Sequence, residues 1–259
     1  MALFPGRMLD TAPKLIDYHC HLDLYPNYEE LFRVCTTDRI ATLAVTTTPL
    51  AWPKNRELAK SSPMVRVALG IHPQLVGVQR PEMDVFEGYL PQTRFVGEIG
   101  LDAGPAHYMY YAAQKEIFER IVRLCARAGG KILSVHAVRS AKDVLDIVEA
   151  NLARSTNRVV LHWFSGSLAE ARRAADLGCY FSVNAAMLAK PAGARLIATI
   201  PVSRLLTETD GPFVKFGNRP ARPSDVDQTT RHLAQQLGID FDACVLLLVK
   251  NLAVLEEEL

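Results

Sequence analysis

Eight short apolar runs, each stopped by polar residues and followed by a stretch of helical periodicity, constrain this chain more than any other feature. They occupy residues 15–20, 40–46, 64–71, 94–99, 131–135, 158–161, 179–183 and 204–207. Helical patterns fill the intervals: 28–34, 54–60, 83–90, 111–128, 141–152, a segment opened by the capping box Ser167-Leu168-Ala169-Glu170, and 186–198. Two more, 224–236 and 242–258, close the chain. In 111–128 the expected core positions are Ile117, Ile121, Leu124 and Cys125, with Gly129-Gly130 ending the helix. In 141–152 they are Val144, Leu145, Val148 and Leu152. Parallel strands need a crossover between them, so strand–helix repetition means a parallel sheet. Eight such units in 259 residues fit an α/β fold, the closed (β/α)8 TIM barrel. It would be one domain over 1–259, with 1–13 as a loose N-terminal segment. An open doubly wound sheet is the alternative. It calls for a Gly-rich turn after the first strand, and here the sequence is His21-Leu22-Asp23-Leu24.

A barrel gathers the carboxyl ends of its strands at one mouth. The metal-capable side chains stand at those ends: His19 and His21 at the first strand, His72 at the third, Glu98 at the fourth, His136 at the fifth, His162 at the sixth and Asp210 at the eighth. Five of the seven histidines are in this set. Strand ends make up only about a tenth of such a barrel, so chance would put fewer than one histidine there. His19 and His21 flank Cys20 and share one face of a strand. Glu98, in Gly97-Glu98-Ile99-Gly100, ends an apolar run, where a buried carboxylate must be paired. Taken singly, His72 before Pro73 could merely end a strand, and Asp210 before Gly211-Pro212 could be a turn residue.

Together these residues can hold two divalent cations with one carboxylate between them. The arrangement expected puts His19, His21, Glu98 and Asp210 on one ion, and Glu98, His136 and His162 on the other. Asp210 and Glu98 are then the catalytic residues, Asp210 taking a proton from the attacking water. Imidazole-rich ligation suits Zn²⁺ or Mn²⁺, and phosphoryl chemistry commonly uses Mg²⁺, so all three stay open. No Gly-x-Ser-x-Gly elbow competes. The five cysteines form no Cys-x-x-Cys pair, which points to a reducing compartment. With no apolar run of signal-peptide or membrane-span length, a cytoplasmic protein is expected.

The segments that carry these residues resemble the TatD family of metal-dependent deoxyribonucleases, within the amidohydrolase-like barrels. They are Asp17-Tyr18-His19-Cys20-His21-Leu22-Asp23, Gly70-Ile71-His72-Pro73, Val96-Gly97-Glu98-Ile99-Gly100-Leu101-Asp102, the His136 region, His162-Trp163-Phe164-Ser165-Gly166-Ser167 and Thr207-Glu208-Thr209-Asp210-Gly211-Pro212. The resemblance implies the same six ligands, His72 near the scissile phosphate, and metal-dependent cleavage of DNA, often from a 3′ end. Leu22-Asp23-Leu24-Tyr25-Pro26, Thr46-Thr47-Thr48-Pro49 with Ala51-Trp52-Pro53, and the His162 segment look closer to QatD, the TatD-like nuclease of the bacterial Qat anti-phage system. That narrower likeness implies antiviral defence and partner proteins of the Qat system. Departures fall on substrate contacts: His136-Ala137-Val138-Arg139 replaces the family's His-Ser-Arg, Ala103-Gly104-Pro105 follows Gly-Leu-Asp where an aromatic is usual, and 218–223 is atypical.

A net charge of +1 gives no global field for a polyanion, so any attraction for DNA must be local. The loops after the strands carry Lys54, Arg56, Arg139, Lys190, Lys215, Arg219 and Arg222, each a phosphate contact or plain solvated charge. Arg139, three residues past His136, leads this group. Tyr108, Tyr110, Tyr111 and Trp163 could stack on unpaired bases or serve the core. Ser165, Gly166 and Ser167 precede a helix, where they would bind an anion or cap it. The expected substrate contacts are thus His72, Arg139 and Ser165, and the partner is DNA, with no membrane. Three other functions stay open: a small-molecule amidohydrolase acting on a cyclic amide or ester, a nuclease-like defence subunit with a modified-nucleotide substrate, and a non-catalytic scaffold.

Overall fold

Eight parallel strands follow one another around a ring: β1 (Leu15–Cys20), β2 (Ile40–Val45), β3 (Val65–Ala68), β4 (Phe95–Asp102), β5 (Ile132–Val138), β6 (Arg158–His162), β7 (Tyr180–Val183) and β8 (Leu205–Thr207). The structure, a computed structural model, describes residues 12–78 and 82–257, so most of the expected loose segment 1–13 lies outside the described residues. Strands β1–β3 pair as one sheet and β4–β8 as another. Two seams join them. At the first, the Leu69 amide donates to Phe95 O (3.0 Å) and the Gly97 amide to Leu69 O (2.8 Å). At the second, the Asp210 amide donates to His19 O (2.9 Å) and the His21 amide to Gly211 O (2.8 Å). The ring therefore closes, as the (β/α)8 reading requires, and the open-sheet alternative falls away.

Helices cover the ring outside: α1 (Tyr28–Thr37), α2 (Trp52–Ala59), α3 (Met83–Tyr89), α4 (Tyr111–Ala128), α5 (Ala141–Leu152), α6 (Leu168–Asp176), α7 (Ala185–Leu188), α8 (Pro191–Ile197), α9 (Val226–Leu237) and α10 (Phe241–Glu256). Strands covered on both sides read as continuous apolar runs, and nearly every residue of β1 to β8 is buried. All four expected core positions of α5 are buried. In α4 the fully buried face is Gln114, Phe118, Ile121, Val122 and Cys125, turned from the expected one so that Ile117 and Leu124 pack against the core only half-buried. Gln114 explains the turn: its Oε1 accepts from the Asp102 amide (2.8 Å) and its Nε2 donates to His107 O (3.2 Å). The capping box at Ser167 forms as expected. The helix expected over 186–198 is two helices. Pro191 has no amide to donate and forces Lys190 into extended backbone, so α7 stops and α8 restarts.

Three departures in the strands shape the mouth. Strand β3 ends at Ala68, short of the expected 71. Past its end β2 reaches β4 directly: the Glu98 amide donates to Thr46 O (3.0 Å) and the Thr46 amide to Gly97 O (3.2 Å). Strands β4 and β5 run on to Asp102 and Val138, so Glu98 and His136 lie inside strands rather than at their tips. After β8 the chain makes a two-stranded ribbon, β9 (Lys215–Phe216) and β10 (Arg219–Pro220), the second of which lies in the atypical 218–223 segment.

Gly70 sits where β2, β3 and β4 converge. A Cβ there would lie 2.0 Å from Thr46 O and 2.4 Å from the Glu98 amide nitrogen, both backbone atoms that cannot yield. Gly70→Ala is therefore expected to cost about 3 kcal/mol. That would lower the thermal midpoint by roughly 6–12 °C for a chain of this size. Gly88→Ala, where a Cβ meets nothing within 4 Å, is the control and should leave the midpoint unchanged or raise it.

Candidate metal centre

Glu98 stands in the barrel mouth with histidines on both of its oxygens. Oε2 lies 3.1 Å from His21 Nε2, 3.2 Å from His72 Nε2 and 3.3 Å from His19 Nε2. Oε1 lies 2.7 Å from His136 Nδ1 and 3.0 Å from His162 Nε2. Asp210 Oδ1 is 3.8 Å from the Nε2 atoms of both His19 and His21. All seven side chains are buried. Oε2 thus faces His19, His21 and His72 and Oε1 faces His136 and His162, while the rings of His19 and His162 stack at 3.8 Å across the middle of the cluster.

The donor set fits divalent cations. Among the described residues, six buried side-chain nitrogen or oxygen atoms have no hydrogen-bond partner, and five of them are here: His19 Nε2, both ring nitrogens of His21, Glu98 Oε2 and His162 Nδ1. Leaving such atoms unsatisfied costs roughly 1–3 kcal/mol each. The same lone pairs are ligands once a cation stands between them. Three triads have ligand atoms within 4.8 Å of one another: His19, His21 and Glu98; His19, His162 and Asp210; and His72, Glu98 and His136.

His72 differs from the others. Its Nδ1 accepts from the Gln74 amide (3.2 Å). A backbone amide can only donate, so the neutral ring carries its proton on Nε2 and presents an N–H to the mouth. His19 has the opposite latitude: its Nδ1 faces the Ser134 hydroxyl (2.9 Å), which can accept and leave the Nε2 lone pair free.

An outer ring of polar residues holds these groups, and the sequence reading assigned none of them. Glu208 Oε1 lies 3.5 Å from His162 Nδ1 and accepts from Asn184 Nδ2 (3.0 Å), while Ser182 Oγ donates to Glu208 Oε2. Asp102 Oδ2 lies 3.4 Å from His136 Nε2 and accepts from Gln74 Nε2 (2.7 Å). Asp17 accepts from the Thr209 amide (2.7 Å) and hydroxyl (2.6 Å), fixing the segment that ends in Asp210. The signal was strand alternation: Asp17, Ser134 and Glu208 each stand two residues before His19, His136 and Asp210.

Electrostatics follow from burial set against charge. Burial opposes ionisation of Glu98, but His72, His162 and His19 outweigh it and hold the carboxyl well below its usual range. Burial keeps His19 and His72 neutral, their basicity lowered. Burial also works against a charge on His162 and His136. Glu98 and Glu208 reverse that for His162, and hydrogen bonds to Asp102 and Glu98 reverse it for His136, so both are raised. Burial pushes Asp210 up to about 7.

The cluster opens into a cavity of about 320 Å³, also lined by Gln74, Trp163, Ser165 and Phe213. Phe213 was not anticipated. It is 61% exposed and meets the His21 ring edge-on at 5.0 Å. Of the expected substrate contacts, His72 and Ser165 line this cavity. Arg139 is exposed on a neighbouring one that shares Ser165. Trp163 reaches the site, but the tyrosines do not line it. Tyr108 stacks on Tyr111, whose hydroxyl donates to Asp143 (2.8 Å), and Tyr110 packs over Gly77. Among the loop cations, Arg219 pairs with Asp225, Arg56 lies over Trp52, and Lys54 lies over Tyr28. All five cysteines are free and buried. Among the described residues, no helix is long and apolar enough to cross a membrane.

The model of the TatD-related DNase family matches residues 16–256. Deoxyribonuclease Tat-D of Schizosaccharomyces pombe is 30% identical over 148 residues, which cover 57% of this chain and 44% of that protein. An uncharacterized metal-dependent hydrolase TatD of Mycobacterium tuberculosis is 31% identical over 58% of this chain and 59% of its own. The chain thus spans about half the length of these curated relatives. Among solved structures, the TatD homologue YJJV of Escherichia coli superposes with a TM-score of 0.80 at 26% identity, covering 93% of this chain and 97% of that one.

Proposed function

This chain belongs to the TatD-related DNase family, and from that premise we propose that it is a divalent-metal-dependent hydrolase that cleaves phosphodiester bonds of DNA, in single strands or at a 3′ end. One observation carries the reading: a single buried carboxylate, Glu98, faces imidazoles through each of its two oxygens. His19, His21, Glu98 and Asp210 would hold one ion, and Glu98, His136 and His162 the other, the ions being Mg²⁺, Mn²⁺ or Zn²⁺. Bound there, the cations supply Lewis acidity toward phosphoryl oxygens and make a water molecule more acidic.

The rest is work for the chain's own residues. Asp210 accepts the proton of the attacking water. The Nε2–H of His72 donates to a non-bridging oxygen of the scissile phosphate, while its Nδ1 stays tied to the Gln74 amide. Ser165 borders the same cavity and orients the phosphate, with Arg139 reaching it from the adjoining one. Glu208, Asp102 and Ser134 keep the imidazoles aimed. The motif likeness to QatD extends the proposal to anti-phage defence beside partner proteins of the Qat system. The free, buried cysteines support a cytoplasmic setting.

The test uses 5′-labelled single-stranded and duplex DNA with Mg²⁺, Mn²⁺ or Zn²⁺, and with chelator. Shortening of the single strand from its 3′ end, with metal and not with chelator, is the expected result. A metal-loaded protein that leaves both DNAs intact but opens a cyclic amide or ester would make it a small-molecule amidohydrolase instead.

A further inference from the structure

A second cavity adjoins the one over Glu98. Trp163 and Ser165 line both. The second, about 380 Å³, runs from the segment after β6 to Lys190 and Arg195 at α8. No carboxylate lines it, and neither cation has an ion-pair or hydrogen-bond partner among the described residues. Cations elsewhere on the helices are often neutralised, as Arg173 is by Asp146 and Glu149. The other branch leaving Ser165, toward Arg139, carries Lys142 as well but sets Asp143 and Glu170 against them. Its charges cancel, and those of the Lys190 branch do not.

We propose that the groove from Trp163 to Lys190 and Arg195 is a second binding site, which takes a backbone phosphate of the same DNA strand beyond the bond that is cut. The inference rests on the phosphodiesterase reading above. Its shape suits a strand without a partner. Lys190 and Arg195 supply charge for the phosphate. Met187 and Leu196 give an apolar wall for the sugar and base. Trp163 stands at the junction with φ at 37°, a conformation side-chain-bearing residues seldom adopt, and its amide is tied to Ser182 O (3.2 Å). Its backbone is therefore fixed at the junction, and its side chain lines both cavities. The consequence is a length dependence: a dinucleotide fills the metal site alone, and a longer strand gains the second phosphate contact.

The double variant Lys190→Ala/Arg195→Ala tests this, because both side chains are exposed and their loss leaves the core alone. KM for a single-stranded hexanucleotide should rise about tenfold, and the salt slope of binding should fall by roughly one per cation. Cleavage of a dinucleotide should not change. Arg127→Ala/Lys250→Ala removes the same charge from exposed positions on α4 and α10 and should reproduce none of this. Equal loss on dinucleotide and hexanucleotide, or an unchanged KM and salt slope, overturns the second site. Binding of labelled hexathymidylate by the metal-free protein reads the groove separately from catalysis. If the wild type cuts no phosphodiester, the hydrolase reading fails. The groove then stands or falls on whether the double variant weakens that binding about tenfold.

Discussion

Glu98→Gln is expected to lower kcat/KM on DNA by at least about 10⁴-fold with the fold retained, a loss of roughly 5 kcal/mol of transition-state stabilisation. The amide matches the carboxylate in size, so packing around it need not change. Its chemistry does change. One end becomes an NH₂, which has no lone pair for a cation and, on the Oε1 side, would face His136 Nδ1 at 2.7 Å and His162 Nε2 at 3.0 Å. The negative charge that the imidazoles stabilise also disappears. Two cations could then no longer share this ligand, and metal content by mass spectrometry should fall by one ion or more per chain. Circular dichroism and the thermal midpoint check the fold, since the strand ladder around Glu98 is backbone-bonded through Thr46. A folded Glu98→Gln protein that keeps more than about 1% of wild-type turnover would remove Glu98 from the bridging position.

The sequence could be read this far because the fold and the site share one periodicity. Apolar runs mark strands, and a barrel sends the polar residues that follow each run to the same mouth. That logic places His19, His21, Glu98, His136, His162 and Asp210 together without knowing a single distance. It fails where a tertiary bond overrides local pattern. Residues 69–71 look like strand, yet Thr46 bonds to Gly97 and Glu98 across the gap that β3 leaves. Gln114 turns the buried face of α4 because a polar residue is drawn in by the Asp102 amide, which no count of apolar positions registers. Glu208 and Asp17 were legible through alternation, one strand repeat before Asp210 and His19. Phe213 was not: nothing local separates an aromatic that covers a core from one left in a cavity. The loop cations were the least legible, since Arg139 and Lys190 differ only in whether carboxylates share their cavity.

Asp210→Asn separates the two roles proposed for this one side chain, holding a cation and accepting a proton. The backbone allows the substitution: Asp210 has φ at 51°, a left-handed conformation that asparagine tolerates and most residues do not. Asn keeps an oxygen for ligation but is far too weak a base to take the water's proton. The expected result is a kcat lower by about 10²–10⁴-fold with KM for DNA nearly unchanged. Metal content should drop far less than in Glu98→Gln. The pH dependence of metal uptake gives an independent reading. In the metal-free chain burial pushes Asp210 up to about 7, so below that pH a cation must displace its proton. Wild-type affinity should therefore climb as pH rises through about 6–8, with proton release measurable by calorimetry in buffers of different ionisation enthalpy. His162, also raised, contributes a release of its own. The Asn variant has no proton to lose at residue 210, so its rise should be shallower and its proton release smaller. A kcat within tenfold of wild type would leave Asp210 without the proton-accepting role, and the proton would have to go to another group at the mouth; His72 is not that group, because its Nδ1 is tied to the Gln74 amide and its Nε2 already carries a proton.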